Sequence, residues 1–464
     1  MKNGKTTGTD KHKQELYSNM RNKHFFISLA AFIFSCLALQ AQDDSGELKL
    51  SLKEAQDYAV RNNLLVKTFR SDMEASKVAV WEAISAALPS VSATGSFTDN
   101  LKLATTLLPG EFFGQPGIKV PVTFGSQFNS GATLQANLLI FNMPLYIGIE
   151  TTKLANKLSE QNLEKTELDT RESVSSAYYL ILISERSLDI LDRNYDNLNE
   201  ILSSTKAMYQ AGMAESTDVD QIVSNVSMVD NSRSSLQRNI ELNYNLLRFQ
   251  LGVPAGTKIT LTESLDAVAE AINVEALVSQ EFDHRNNITY RLTEVSEQMS
   301  LLSLKSQKAS VLPTLAGFYN YGTNGMGDKI SELQWFQNSM TGLQLSVPIF
   351  ASGQRYSKIR KAQINLEKAR TTREMVEEQL LIQEKQLRYN LVNANLQYQN
   401  QKQNVEVAGR VFKSMENKFR QGMASSLELT QANSQYLTAE NNYVSALMNL
   451  LQTKLALDKL LNNM

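Results

Sequence analysis

Cysteine occurs once in 464 residues, at Cys36, and histidine three times, at His12, His24 and His284. That scarcity bounds the available chemistry. A chain without Cys36 would hold no thiol for a nucleophile or a soft metal site, and any serine–histidine arrangement would have to use His284. His284 sits in EFDHRNN, which reads as a solvated helical start. No phosphate loop and no recognisable paired-carboxylate motif is present, so no catalytic, cofactor-binding or metal-binding residue is assigned and no enzyme is expected. The 46 basic and 48 acidic residues are nearly balanced and form no clustered basic face, which excludes a nucleic-acid binder. Proline is also scarce, 8 in the chain, and the long stretches without it favour long helices.

The one long apolar run is FFISLAAFIFSCLAL, Phe25 to Leu39. Arg21, Lys23 and His24 precede it and Ala41 follows, so residues 1–41 read as a leader with a signal peptide cleaved after Ala41. Met20 offers an alternative start, with residues 1–19 then an extension. Ile33-Phe34-Ser35-Cys36 has some likeness to a lipobox, which would make Cys36 an acylated residue, although Phe34 fits that pattern badly. Without the leader the chain carries 40 basic and 46 acidic residues, a mild negative charge suited to a passage that does not repel cations.

The remaining chain is duplicated. RNN stands at Arg61–Asn63 and Arg285–Asn287, and Leu-Pro at Leu88-Pro89 and Leu312-Pro313, both at an offset of 224. ATLQANLLIF (Ala132 to Phe141) matches TGLQLSVPIF (Thr341 to Phe350) at 209, and QAGMAES matches RQGMASS at 210 through Gly212 and Gly422. The fall from 224 to 209 places 15 extra residues in the first copy, between its Leu-Pro and its ATLQ segment. Repeat 1 is therefore 42–252, a linker is 253–273, and repeat 2 is 274–464.

Each copy has the same grammar. An opening helix, about Leu52–Ala87 and Val274–Val311, stops at Leu-Pro, because proline removes an amide and disfavours helix in the residue before it. Two strand-like stretches follow. Leu134 and Leu138 share one face of the second strand of copy one, and Leu343 and Val347 one face in copy two, with Gln135 and Gln344 opposite. That alternation fits either a one-sided soluble sheet or a barrel wall between lipid and water. No proline follows Pro144 before Gln210, and between Arg355 and Gln421 glycine occurs only as Gly409. Each stretch predicts a rod of about 100 Å. In the second, Ile359, Ala362, Leu366, Leu380, Leu387, Leu391, Ala394, Tyr398, Phe412 and Phe419 mark a coiled-coil seam. Helical pattern resumes after YQAGMAES and FRQGMASS, so Gly212 and Gly422 mark reversals in the left-handed conformation, with Ser216 and Ser426 as caps of the returning helices. The returns are half as long as the rods. Val274–Val311 is expected to continue the first return, and Leu52–Ala87 to stack on the C-terminal helix.

Four strands per chain cannot close a barrel, whereas three chains would supply twelve. This ordered duplication, from LSLKEAQDYAVRNN through the paired Leu-Pro, strand, rod and glycine segments, resembles the TolC family of outer membrane factors. The fold class is mainly α with a small β part. The resemblance implies a homotrimer with a 12-stranded β-barrel in outer membrane lipid and an α-helical tunnel in the periplasm. It implies the exit duct of a tripartite efflux or type I secretion system, with a periplasmic adaptor and an inner-membrane pump of RND, ABC or MFS type as partners. Gly212, Met213, Gly422 and Met423 then fall in the adaptor-docking tip, and Asp218 and Glu428 at the tip constriction. The family's tyrosine–arginine–aspartate latch is absent, since Phe419, Ala424 and Gln431 stand in its place. The competing reading is a periplasmic coiled-coil scaffold without a pore, which has no need of four amphipathic strands.

Overall fold

The computed structural model describes residues 47–114 and 116–464. The leader, its cleavage after Ala41 and the Cys36 lipobox lie outside the described residues. In chain order the elements are β1 (Leu48–Leu50), α1 (Leu52–Asn62), α2 (Leu64–Ser85), β2 (Ser90–Asp99), β3 (Thr105–Pro109), β4 (Lys119–Thr123), β5 (Phe128–Phe141) and α3 (Met143–Gln210). There follow α4 (Ser216–Leu251), β6 (Ile259–Leu261), α5 (Leu265–Glu270), α6 (Val274–Ser279), α7 (Ile288–Ala309), β7 (Thr314–Gly327), β8 (Gln334–Ser346), α8 (Gln354–Arg420) and α9 (Ser426–Leu461).

Two compact units are distinguished. In the small one, residues 47–49 meet residues 256–260: the Leu48 amide donates to the Lys258 carbonyl at 2.9 Å, and Lys258 pairs with Glu47 at 2.9 Å. The large unit, Leu50–Ala255 with Leu261–Met464, contains both copies of the repeat. They share one antiparallel sheet in the order β2-β5-β7-β8, where β5 of the first copy pairs with β7 of the second. The 15 extra residues of the first copy are accounted for by the separate hairpin β3–β4.

The rods form as the sequence predicts, with 68 residues in α3 and 67 in α8. The side chain of Asn142 caps α3 by accepting from the Leu145 amide at 3.1 Å, and Pro144 occupies the first turn, where a missing amide costs nothing. Of the α8 seam, Ala362, Leu366, Leu380, Leu391, Ala394, Tyr398, Phe412 and Phe419 are buried. Among the described residues no helix is long and apolar enough to cross a membrane.

Three expectations are corrected. The opening helices are not continuous: the first breaks at Asn63 into α1 and α2, and the second is α6, a 3-10 turn at His284–Asn286, and α7. Asn63 and Asn287 impose the breaks by capping the helix that follows. His284 is accordingly not a freely solvated residue, since its ring meets Tyr290 edge-on at 5.0 Å and its Nε2 lies 3.3 Å from Glu377.

The stacking of helices is also the reverse of the expected one. α2 packs on α3 beside α4, and α7 packs on α8 beside α9, so each opening helix continues the return of its own copy. The Ser76 hydroxyl donates to Asn156 at 2.8 Å on the lower part of α3, while Asn243 of α4 reaches Ser184 further along it at 3.2 Å. Chain connectivity gives the reason. An opening helix leaves through Leu-Pro into its own strands and returns directly as its own rod, which makes the two antiparallel neighbours.

The third correction concerns caps. Glu215 and Ser425 are the N-caps of α4 and α9, one residue before Ser216 and Ser426, which are the first helical residues.

Candidate functional site

Register in the four-stranded sheet assigns every side chain to a face, because partners directly opposite in an antiparallel pair point the same way. Ala93, Leu134, Tyr321 and Ser339 form one row, and Leu138, Gly317 and Leu343 another on the same face. Val91, Phe97, Tyr319 and Leu345 belong to that face as well, and Phe97 stacks on Phe128 at 6.0 Å. On the other face Ser92, Gln135 and Asn320 make one row and Thr133, Gly322 and Asn338 the next. Strand β2 alone states the rule: serine and threonine at 90, 92, 94, 96 and 98 alternate with Val91, Ala93, Gly95 and Phe97. Phe318, Met326, Phe336 and Met340 interrupt the polar face.

Among the described residues nothing covers the apolar face. Leu134 is 44% exposed and Leu343 71%. Asp99, at the far end of β2, is the only charged residue in the four strands. Strands of 13 and 14 residues exceed the ~9–11 that a tilted strand needs to cross a bilayer. Val347 is the exception among the expected wall residues. It lies just beyond β8, which ends at Ser346, so it belongs to the connection to α8 and not to a strand. The ladder stops there because β7 begins at Thr314 and offers Ser346 its last partner.

At the opposite end of the rods the two glycine reversals match each other. Gly212 has φ +73° and Gly422 φ +71°, the left-handed region that side chains disfavour. The Gly212 amide donates to the Tyr209 carbonyl at 3.0 Å and Met213 to the Met208 carbonyl at 2.8 Å; Gly422 and Met423 repeat this on Phe419 and Lys418 at 2.9 Å each. These bonds satisfy carbonyls that a helix end leaves open. Both methionines project outward, Met213 75% and Met423 66% exposed.

Asp218 and Glu428 are the third helical residues of capping boxes. Asp218 accepts from the Glu215 amide at 2.9 Å, and Glu428 from the Ser425 amide at 2.8 Å and its hydroxyl at 3.0 Å. Asp218 has a second partner in the other hairpin, the hydroxyl of Ser426. The Ser426 hydroxyl and then the Glu215 amide hold the Asp218 carboxyl below the usual range, and the Ser425 amide and hydroxyl do the same for Glu428. The two hairpins of one chain are joined further by Asn225 to Thr430 at 3.2 Å, Asn194 to Asn433 at 2.6 Å and Arg420 to Glu200 at 3.0 Å. Beneath these bonds lies an apolar core from all four helices, including Leu198, Ile222, Phe419 and Leu429. Phe419 is thus a core residue, and Ala424 packs against the same core.

Sequence reasoning missed Ser426, Arg420 and Glu200 as partners between hairpins, since only the fold brings residues 208 and 220 positions apart together. It also missed Tyr319 and Tyr321 on the apolar face, for which alternation in β7 was the available signal.

A profile of the family described as outer membrane efflux protein matches residues 57–253 and 293–463. Outer membrane protein TolC of Vibrio cholerae is 20% identical over 317 residues, 68% of each chain. Among solved structures, the outer membrane protein VceC of Vibrio cholerae superposes with a TM-score of 0.71 at 14% identity, over 88% of this chain and 95% of that one. The open state of the MtrE outer membrane channel of Neisseria gonorrhoeae gives 0.69 at 14% identity, over 88% of each. At such identities the solved structures speak for the fold, and the profile, spanning both repeats, speaks for the family. The chain belongs to the outer membrane efflux protein family.

Proposed function

We propose that three copies of this chain form a passive exit duct, a twelve-stranded barrel in the outer membrane continued by a helical tunnel in the periplasm. The observation that carries this reading is the sheet with one apolar face, whose single charge is Asp99 at the far end of β2, one polar face and two free edges, β2 and β8. A free edge in a membrane leaves backbone groups unpaired, and pairing β2 with β8 of the next copy removes every edge. The helices support the same closure. Met375, Ile382, Tyr389 and Leu396, spaced by seven along α8, are exposed, as are Val78 and Trp81 on α2 and Leu242 and Phe249 on α4. Two different apolar stripes on one chain suit a head-to-tail ring.

In this reading the tips at Gly212-Met213 and Gly422-Met423 receive a periplasmic adaptor, and an inner-membrane pump of RND, ABC or MFS type selects the cargo. Exposed methionines suit such a surface because an unbranched thioether adapts to the shape of a partner. The test is migration of outer-membrane fractions on a denaturing gel. The expected result is a trimer without heating and a single chain of about 50 kDa after it. A chain recovered only from the soluble periplasmic fraction would instead establish a coiled-coil scaffold.

A further inference from the structure

We propose that Lys358 and Lys361 form a cationic collar inside the duct, just below the barrel, which holds cargo carrying two or more carboxylate or phosphate groups. The inference rests on the trimer reading above and names the class of cargo that this end of the duct favours.

The duplication locates the two lysines. The offset of 210 that relates Gly212 to Gly422 matches Tyr356 with Tyr146, Lys358 with Gly148 and Lys361 with Thr151. In α3, Ile147 and Leu154 pack on Leu302 and Ala309 of α7, and Asn156 meets Ser76 of α2. At 3.6 residues per turn, α3 is left with one flank of Tyr146 and Lys153 and another of Gly148, Thr151 and Ala155. In α8, Ile359, Ala362 and Leu366 pack on Leu304 of α7. The same division then puts Tyr356 and Arg360 on one flank and Lys358 and Lys361 on the other.

The aromatic flank faces outward. Tyr356 is 75% exposed and Tyr146 42%, and such rings just below an apolar sheet face belong at a membrane surface. The lysine flank therefore lines the lumen. Near the sheet that flank otherwise carries Thr151 in α3 and Ser303 and Gln307 in α7. The polar face of the sheet above it is uncharged, because Asp99 lies on the apolar one.

Nothing within the chain neutralises the pair. Both lysines are exposed, and no carboxylate among the described residues pairs with either. Arg355, by contrast, donates to the Pro348 carbonyl at 2.8 Å. The first turn of α8 holds no acidic residue, and cations this near a helix start oppose its dipole. Charge placed against a local preference, in one copy of the repeat and not the other, calls for a use outside the fold. Glu82 of α2 sits beside Val78 on the flank turned to the adjacent copy and can neutralise at most one lysine per copy. Asp72, on the lumen flank of α2, is about two turns deeper.

Lysines three positions apart on a helix have β-carbons about 5–6 Å from each other, so one multiply charged group can engage both, whereas a single charge in open water is screened. Flexible ammonium groups hold an anion without fixing it, as conduction requires. The tip carboxylates Asp218 and Glu428 are about 90 Å away along α8, so the two charged zones act separately.

Inorganic tripolyphosphate is the probe, added in low salt to single trimers in a planar bilayer. It should reduce the current from the barrel side, and Lys358→Gln with Lys361→Gln should raise the concentration for half effect about tenfold or more. Lys153→Gln with Arg360→Gln, on the outer flank, should leave it unchanged. Lys358→Cys in a Cys36→Ser background should lose conductance on treatment with a negatively charged methanethiosulfonate. A wild-type pore indifferent to tripolyphosphate, equal block of the collar variant, or unchanged conductance after thiol modification would overturn the collar and leave the duct standing. A chain that forms neither trimer nor pore would sink the duct reading, and the collar with it.

Discussion

The side-chain amide of Asn63 donates to the main-chain carbonyl of Gln250 at 2.7 Å. The same side chain accepts from the Leu65 amide at 2.8 Å and the Val66 amide at 3.3 Å, so one asparagine caps the start of α2 and the end of α4 together. Asn287 repeats this in the second copy, donating to the Leu460 carbonyl at 3.3 Å and accepting from the Thr289 amide at 2.9 Å. Both are buried, 6% and 5% exposed, where an unpaired amide is costly. The duplicated RNN motif is therefore a joint between opening and returning helices. Gly252 completes the first joint at φ +70°, because a β-carbon there would lie 2.4 Å from the Asn62 carbonyl oxygen.

Removing that joint should be expensive. Asn63→Ala and Asn287→Ala are each expected to cost about 2 kcal/mol, and the two sites, well separated, should add. Asn63→Asp keeps the acceptor and should lose less. Dissociation and unfolding temperatures of the purified protein measure this. An alanine variant as stable as the wild type would show that the joint contributes nothing.

The two faces of the sheet should respond differently to charge. Arginine at Leu134, Leu138 or Leu343 is expected to cost about 2–4 kcal/mol near the bilayer midplane, and arginine at Gln135 or Gln344 little. Val347, beyond the strand, should tolerate it better than Leu343. Yield in outer-membrane fractions scores the series, and equal tolerance on both faces would refute a membrane wall.

At the tips, Gly212→Val and Gly422→Val meet open space, with no atom within 4 Å of an added β-carbon. The cost is backbone strain at positive φ, roughly 1–2 kcal/mol each, and a reshaped surface beside Met213 and Met423. Assembly should be normal and export lost. Full export in the double variant would remove the reversals from adaptor docking.

Asp218 and Glu428, repeated three times around an axis, would put like charges at the narrow end of the tunnel, and a planar bilayer should record cation selectivity. Asp218→Asn with Glu428→Gln should reduce it while trimers still form. The pH dependence has a definite sign. Both carboxyls lie below their ordinary values of 3.8 and 4.5, so the stability they contribute is complete above those values and lost as pH falls through the lowered ones. Selectivity should accordingly be flat from about pH 5 to 8. An anion-selective wild type, or a double variant with unchanged selectivity, would leave these residues as helix-start charges alone.

What could be read along the chain was whatever repeats over a few residues. The period of the α8 seam, the alternation of Leu134 with Gln135, the stop at Leu-Pro and the reversal at Gly212 each express a local backbone preference, and the duplication shows that every one occurs twice. Tertiary structure decided what depends on distant partners. It chose which opening helix continues which return, through bonds such as Asn63 to Gln250, and brought Leu134, Tyr321 and Ser339 into one row. It gave Asp218 a second partner in Ser426 and moved the caps to Glu215 and Ser425, because a cap is set by where the chain turns and not by which serine is nearest. Helical and strand periods are properties of neighbouring residues. Register and stacking are choices among distant surfaces of similar composition, and only packing the whole chain distinguishes them.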